Sequence, residues 1–527
     1  MRKKKAALLS LLTALCLLLS ACGETAEQPE EQKPEEENYI QTGQRVEGKA
    51  AADRLFSVCW DPEKDMNPIK AASSTNMLFS SLMYDSVFTL DEHFEPSSEL
   101  VTSYNSPDNT WWVFNVDTSI PFTDGSTLTA QDIVYSIQRA QQSPTYSNRL
   151  SVIYGISAMG SDCFAITTAY PDSQLPKMLN IPVIKYGSYG DAVPAGTGAY
   201  RLSEEGDRLV LFEENRHASE MPVDTVYLKS FTDAAEKISA FETGVLDIVT
   251  NDPTGMYNLG YGSSNEVRYY NTTNMHYLGF NMRSPYFSSS VSRYAMNFAV
   301  DKDRVAELMD GCAAVTDLPL PTDSPLYDAE YASRFDFDLD KCFRVLSNGV
   351  VGDHDQDGVL EFLVTGIVVE INIDFIVNNE STAKVCAARE IAENLNSIGI
   401  TTTLRELEWR DYMEALEKGE YDMYYGEIKL TPDWNLAYLF EEKSSTNYAR
   451  CFDTGYSELY HDYLAAGDLD RGAKFSEACR YLMENGGLVP ICFEKRQVLT
   501  HRGVVTGIKA SQYDLFNNFR EWTIDLK

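Results

Sequence analysis

VVEINIDFIVNNESTAKVCAAREIAENLNSIGITTTLREL, residues 368–407, contains the change of period that decides the fold. Its first ten residues alternate and are rich in β-branched side chains, so 368–377 reads as a strand. Asn379, Ser381 or Thr382 can then cap a helix. Apolar residues follow at Val385, Ala388, Ile391, Leu395 and Ile398, a 3–4 spacing that gives one buried helical face, and Gly399 ends it. A second strand, 400–407, a short helix, 409–416, stopped by Gly419, and a third strand, 421–425, complete the unit. The order β-α-β-α-β predicts a largely parallel sheet covered by helices. Ligands of such sheets lie beyond the carboxyl ends of the strands, so the segment after Tyr425 is a binding-loop candidate.

The remainder of the chain bounds what such a fold can do. At 527 residues it is too long for one hydrophobic core, and two or three domains are expected. The net charge of −35 argues against nucleic acid as a partner. No HExxH, GxSxG or GxxxxGK[ST] pattern is present. The six histidines (His93, His217, His276, His354, His461 and His501) are dispersed, with no metal-ligand spacing between any two. A hydrolase would have to use carboxylates that nothing singles out, so the chain is read as having no enzymatic activity. One stretch suggests a cation. Asp353-His354-Asp355-Gln356-Asp357-Gly358 has the D-x-D-x-D-G opening of a calcium loop, with Glu361 at the ninth position. The twelfth, where a bidentate Glu should close the shell, is Val364. A weak calcium site and a plain hairpin turn both fit. No other cofactor is indicated.

The N-terminus reads as an export signal. Arg2, Lys3, Lys4 and Lys5 precede an apolar run, 6–20, that suits a secretory signal and is short for a bilayer span of roughly twenty residues. A short anchor helix is the alternative. Leu19-Ser20-Ala21-Cys22 resembles the bacterial lipobox, which implies a signal peptide over 1–21 and acylation of Cys22. Residues 22–50, rich in Glu with Pro29 and Pro34, read as an acidic disordered tether. Cys16 leaves with the signal. The other eight cysteines show no CxxC pair and leave room for one or two bridges; Cys386 and Cys479 sit in helical patterns as small buried hydrophobes.

Several longer stretches, taken together, carry a family resemblance. Residues 111–140, WWVFNVDTSIPFTDGSTLTAQDIVYSIQRA, contain a turn at Phe122-Thr123-Asp124-Gly125 and a helix from Ala130 capped by Thr129. Gly196-Thr197-Gly198-Ala199-Tyr200, then 241–248 (FETGVLDI), then Tyr277-Leu278-Gly279-Phe280-Asn281 with a helix over 291–301, follow in order. Residues 399–409 and Tyr421-Asp422-Met423 close the series. In this order the chain resembles the family 5 extracellular solute-binding proteins, the peptide- and nickel-type receptors of ABC importers.

That resemblance implies a two-lobed α/β fold of the periplasmic-binding-protein kind, hinged between lobes. Lobe I would comprise 51–85, 195–270 and 495–527, with an extra subdomain over 86–194; lobe II would be 271–494. It implies a monomer on the extracytoplasmic face of a cell membrane, at the surface of a Gram-positive cell rather than in a periplasm. Its partners would be an ABC permease and its ATPase, with a lipid anchor in the membrane. The ligand would be an oligopeptide, or another solute such as a sugar, opine or metal chelate; a receptor turned sensor or adhesin is a further reading. Ligand contacts carried over from the family are Ser73, Ser74, Tyr146, Asn251, His276, Tyr277 and Trp409. The aspartate with which peptide-binding members hold the ligand's amine should lie within 426–435, GEIKLTPDWN, and no acidic residue stands there in register. Glu427 from a shifted position, or Lys429 acting on an anion, are the two replacements, with Gly426 and Trp434 beside them.

Overall fold

The computed structural model describes residues 39–41, 54–255, 260–262, 265–347, 351–364 and 367–526. The signal peptide and Cys22 lie outside the described residues. Three residues of the expected tether, Tyr39–Gln41, form a strand antiparallel to 266–268, so that part of 22–50 is ordered. No helix among the described residues is long and apolar enough to cross a membrane.

The 368–407 stretch folds largely as its pattern requires. Helix Thr382–Ser397 is capped by the Ser381 hydroxyl, which accepts from the Lys384 amide at 3.4 Å. Val385, Ala388, Ile391 and Leu395 are buried. Each fully covered large aliphatic chain of that face contributes about 1.5–3 kcal/mol. Gly399, at φ +86°, ends the helix as expected. Strand Asn372–Asn378 pairs in parallel with Thr401–Leu407 and with Met423–Tyr424 of the next strand.

Three expectations change. The strand expected over 368–377 is two strands. Ile367–Glu370 belongs to a three-stranded sheet with Val351–Gly352 and Glu361–Val364, and its Ile367, Val368 and Val369 are exposed. Only Asn372–Asn378 enters the core, because the Ile371 amide is taken by the Leu360 carbonyl at 2.9 Å. The sheet is parallel within the β-α-β-α-β unit, as its order requires, but mixed as a whole. Its order is Ile248–Asn251, Val489–Thr500, Glu266–Phe280, Met423–Lys429, Asn372–Asn378, Thr401–Leu407, and the first three pairings are antiparallel. Finally, the helix expected over 291–301 is Ser290–Ala295 followed by a 3-10 turn, Met296–Phe298. Asp301 instead caps the next helix, Lys302–Leu308, accepting from Arg304 N at 3.0 Å.

Two large buried clusters organise the chain. One draws on Phe56 through Leu228 together with Ile248 and Val498 through Trp522; the other runs from Met275 to Phe493 and adds Phe94. Strands Glu266–Phe280 and Val489–Thr500 are long enough to pass from the neighbourhood of one cluster into the other, and their pairing shifts register between Asn271 and Met275. The first cluster carries two four-stranded sheets, Ser57–Cys59/Thr225–Lys229/Arg208–Leu211/Tyr200–Leu202 and Val101–Asn105/Trp111–Val116/Cys163–Thr168/Ile153–Ala158. Helix Ala130–Ala140 packs on the latter, and its Asp132 carboxylate accepts from Thr129 N (2.8 Å) and Thr129 Oγ1 (2.5 Å). All eight cysteines among the described residues are free thiols, and none forms the bridges that the spacing left room for; Cys479 is buried and Cys386 half-buried.

Candidate functional site

Strand Met423–Lys429 runs beyond Tyr425, where a loop was expected. Its outer half pairs with Glu266–Phe280, placing Gly426 opposite Tyr277, Glu427 opposite His276 and Lys429 opposite Asn274. Side chains alternate across a strand, so Tyr425, Glu427 and Lys429 share one face. Gly426 is needed at its position: a Cβ there would lie 2.6 Å from the Tyr277 ring. Tyr277, Trp409, Tyr412, Gly426, Glu427 and Lys429 line a common cavity of about 310 Å³. That volume is at the lower end of small-ligand sites. Trp409, the first residue of helix Trp409–Lys418, is 54% exposed at its rim.

Glu427 is already engaged. Its carboxylate pairs with the Lys384 ammonium and accepts from Asn274 Nδ2 at 2.8 Å. The other hydrogen of that amide goes to Glu494 Oε2 at 2.7 Å, and Thr254 Oγ1 donates to Glu494 Oε1 at 2.9 Å. Burial works to raise the Glu427 carboxyl, but His276 and Lys384 outweigh it and hold it below the ordinary value. His276 is fully buried, which pushes its pKa down to about 4, so at neutral pH it is uncharged and Lys384 is the active partner. Its Nδ1 lies 3.1 Å from the Tyr425 hydroxyl. Glu494 is raised by burial and then by Asp252, which itself pairs with Arg496 at 3.4 Å.

Lys429 differs. It is exposed to the recess, yet protein around it pushes its ammonium below the ordinary lysine value, and Arg149 and Arg496 add like-charge repulsion. Among the described residues neither Lys429 nor Arg149 has a carboxylate partner. The Arg149 guanidinium lies over the Tyr146 ring (5.1 Å) and the Tyr513 ring (5.7 Å); Lys429 Nζ lies 5.9 Å from the same Tyr513 ring. Arg149 Nη2 donates to the Asn180 carbonyl at 2.5 Å, while its buried Nε has no hydrogen-bond partner among the described residues. Cation–π contact partly compensates two desolvated cations, but a buried guanidinium normally finds an anion. The arrangement suits a carboxylate or similar group.

The remaining expected contacts do not line this cavity. Ser73 caps the short helix Ser74–Met77, accepting from Asn76 N at 3.3 Å, and Ser74 is exposed. Tyr146 donates to the Pro68 carbonyl at 2.9 Å and supports Arg149 from below. Asn251 Nδ2 donates to Gln497 Oε1 at 3.1 Å. Trp434 does not wall the recess: it is 1% exposed and packs edge-on between Phe94 (5.5 Å) and Phe493 (5.8 Å). The carboxylate oxygens of Asp353, Asp355, Asp357 and Glu361 do come together, within 4.8 Å of one another. Sequence reasoning missed Arg149, Lys384, Glu494 and Tyr513. Only Arg149 carried any local signal, three residues after Tyr146.

Beside Trp434 lies a buried acidic pair. Asp172 is 2% exposed, and burial together with the Asp433 carboxylate pushes it up to about 7. Because its folded pKa is raised, the protonated carboxyl contributes stability that is complete below the unfolded value of 3.8 and is lost as pH rises through about 7. Asp172→Asn keeps the oxygen that accepts from Gln174 N at 2.8 Å and cannot ionise. Its melting temperature relative to the parent should therefore be higher at pH 8 than at pH 5, by about 2 °C or more. Parallel pH dependences in the two proteins would exclude this assignment.

The family model "Bacterial extracellular solute-binding proteins, family 5 Middle" matches residues 95–449. The oligopeptide-binding protein AppA of Bacillus subtilis is 22% identical over 508 residues, covering 90% of this chain and 89% of the relative. The periplasmic oligopeptide-binding protein OppA of Salmonella typhimurium is 21% identical over 474 residues, covering 81% and 84%. Among solved structures, the ABC transporter substrate-binding protein CtaP of Listeria monocytogenes superposes with a TM-score of 0.70 at 17% identity, covering 90% of this chain and 99% of that one.

Proposed function

The chain belongs to family 5 of the bacterial extracellular solute-binding proteins, and on that premise we propose that it captures oligopeptides for an ABC importer. In this reading it is anchored by lipid on Cys22 at the extracytoplasmic face, as a monomer. It hands its ligand to a membrane permease driven by an ATPase, and transforms nothing chemically. Closure of two lobes over the ligand would give the permease a difference between empty and loaded states. The oligopeptide assignment is supported by relatives that are themselves named as oligopeptide-binding proteins.

The observation that carries the ligand chemistry is that Lys429, which lines the recess, and Arg149, which shares the Tyr513 ring with it, have no acidic partner among the described residues. Glu427, Glu494 and Asp252 form an acidic counterpart beside them, partly neutralised by Lys384 and Arg496. Glu427 and Lys429 stand two residues apart on one strand face, a separation of about 7 Å. A zwitterionic peptide presents both charges, and its carboxylate takes the less compensated end. A non-peptide carboxylated solute is the second reading, favoured by the engagement of Glu427 with Lys384, which leaves the amine without a dedicated anchor. Thermal-shift screening of peptide pools tests the proposal: peptides should raise the melting temperature by mass action, with no peptide consumed. Turnover of any ligand would overturn the binding-only reading.

A further inference from the structure

The loop between strands Val351–Gly352 and Glu361–Val364 supplies none of the side chains that line the recess. In it, carboxylate oxygens of Asp353, Asp355, Asp357 and Glu361 converge within 4.8 Å. A cluster of surface acids is common and would by itself indicate nothing. Glu361 sets this one apart. Its residue is 0% exposed, one carboxylate oxygen accepts from the His354 amide at 2.7 Å, and the other is buried with no hydrogen-bond partner among the described residues. No ion pair to any of the four acids occurs among the described residues. Burying a carboxylate oxygen without a donor or counter-charge is costly, and three more carboxylates around it increase that cost.

We propose that this loop is a calcium site. Asp353, Asp355 and Asp357 would supply oxygens at the first, third and fifth positions of the loop, and Glu361, turned inward from the ninth, the buried fourth ligand. A divalent cation satisfies the orphan oxygen and neutralises the cluster in one step. Calcium accepts six to eight oxygens in a flexible shell, whereas magnesium demands near-ideal octahedral geometry and keeps its waters, so four converging carboxylates favour calcium. With Val364 at the twelfth position, affinity falls in the range of extracellular modules, about 10⁻⁴–10⁻³ M. Binding also has a structural consequence. The residue before Glu361 is Leu360, 2% exposed, whose amide donates to the Gly399 carbonyl at 2.7 Å. An ordered loop therefore fixes the hairpin to the end of helix Thr382–Ser397, and calcium should raise the melting temperature.

The test uses the whole protein freed of metal with EDTA, then titrated with CaCl₂ or MgCl₂ at equal ionic strength. Equilibrium dialysis should find one calcium per chain at a few millimolar, with a rise in melting temperature that magnesium does not reproduce. Asp355→Asn/Asp357→Asn replaces two exposed side chains and should lose both effects without loss of fold; Glu361→Gln should lose them too. Absence of bound calcium at about 10 mM, an equal response to magnesium, or calcium binding retained by the double variant would overturn the proposal. Peptide binding enters none of these readouts.

Discussion

Lys429→Glu is expected to weaken binding of peptides with a free C-terminal carboxylate by about a hundredfold, roughly 3 kcal/mol. Two unit charges about 4 Å apart interact by about 4 kcal/mol at an effective dielectric constant of 20, and the recess is open to water, which lowers that figure. Removing the attraction alone, as in Lys429→Ala, should cost about tenfold, in keeping with hydrogen bonds to charged groups. The reversed charge loses more, because the new carboxylate both repels the ligand and pairs with Arg149, withdrawing the second cation. Lys429→Arg should retain most of the affinity. The same peptides as C-terminal amides should bind more weakly to the parent and be almost indifferent to the substitutions, which isolates the pairwise interaction. Since the Lys429 ammonium is held below the ordinary lysine value, affinity for the free acids should also decline at a lower pH than an unperturbed lysine would give. Calorimetric titration measures all of these. Unchanged affinity in Lys429→Ala and Lys429→Glu would remove the residue from the site.

Gly198→Ala should destabilise the fold by about 3 kcal/mol or more. A Cβ on Gly198 would stand 2.4 Å from the Met83 carbonyl carbon and 2.6 Å from the Leu82 oxygen. These are backbone atoms, so no side-chain rotation relieves the overlap. The segments are also tied together there: Gly198 N donates to the Met83 carbonyl at 3.0 Å, and Thr197 Oγ1 donates to Asp85 Oδ2 at 2.8 Å. Separating them would expose the buried Tyr84 and leave Asp85 and Arg216, paired at 3.1 Å, to rearrange. Gly155→Ala is the control, since a Cβ at Gly155 meets nothing within 4 Å; it should change stability by less than about 0.5 kcal/mol. Chemical denaturation gives both values. A Gly198→Ala protein as stable as Gly155→Ala would mean that the two segments do not approach so closely.

The helix Thr382–Ser397 was legible because its buried positions repeat at helical spacing and Ser381 stands where a cap is required. Period-2 alternation, by contrast, shows that a strand forms and not which sheet it joins. Residues 367–370 and 372–378 share one alternating pattern, yet the chain leaves a surface hairpin for the central sheet between them. In the sequence the strand Met423–Lys429 reads as stopping at Tyr425, because Gly426, Glu427 and Lys429 break the apolar pattern. Its outer half is held by backbone pairing to 274–277 and presents those residues to a recess. Glu427 and Lys429 were identified as an anomaly in a family pattern. Lys384 and Glu494 reach Glu427 from 43 and 67 residues away, Arg149 comes beside Lys429 from 280, and nothing local distinguishes them from other charged residues. Trp434 failed for the opposite reason: an aromatic beside a site has the same sequence signature whether it faces ligand or core.

The central claim is that this protein holds peptides by their free carboxylate. Melting the purified protein with matched peptide pools, free acid against C-terminal amide, tests it most directly. Ligand at a hundredfold over its dissociation constant adds about 2.7 kcal/mol to the folded state. The free-acid pool should raise the melting temperature and the amide pool should raise it less. A protein that no peptide stabilises, but that a carboxylated non-peptide does, would contradict the account.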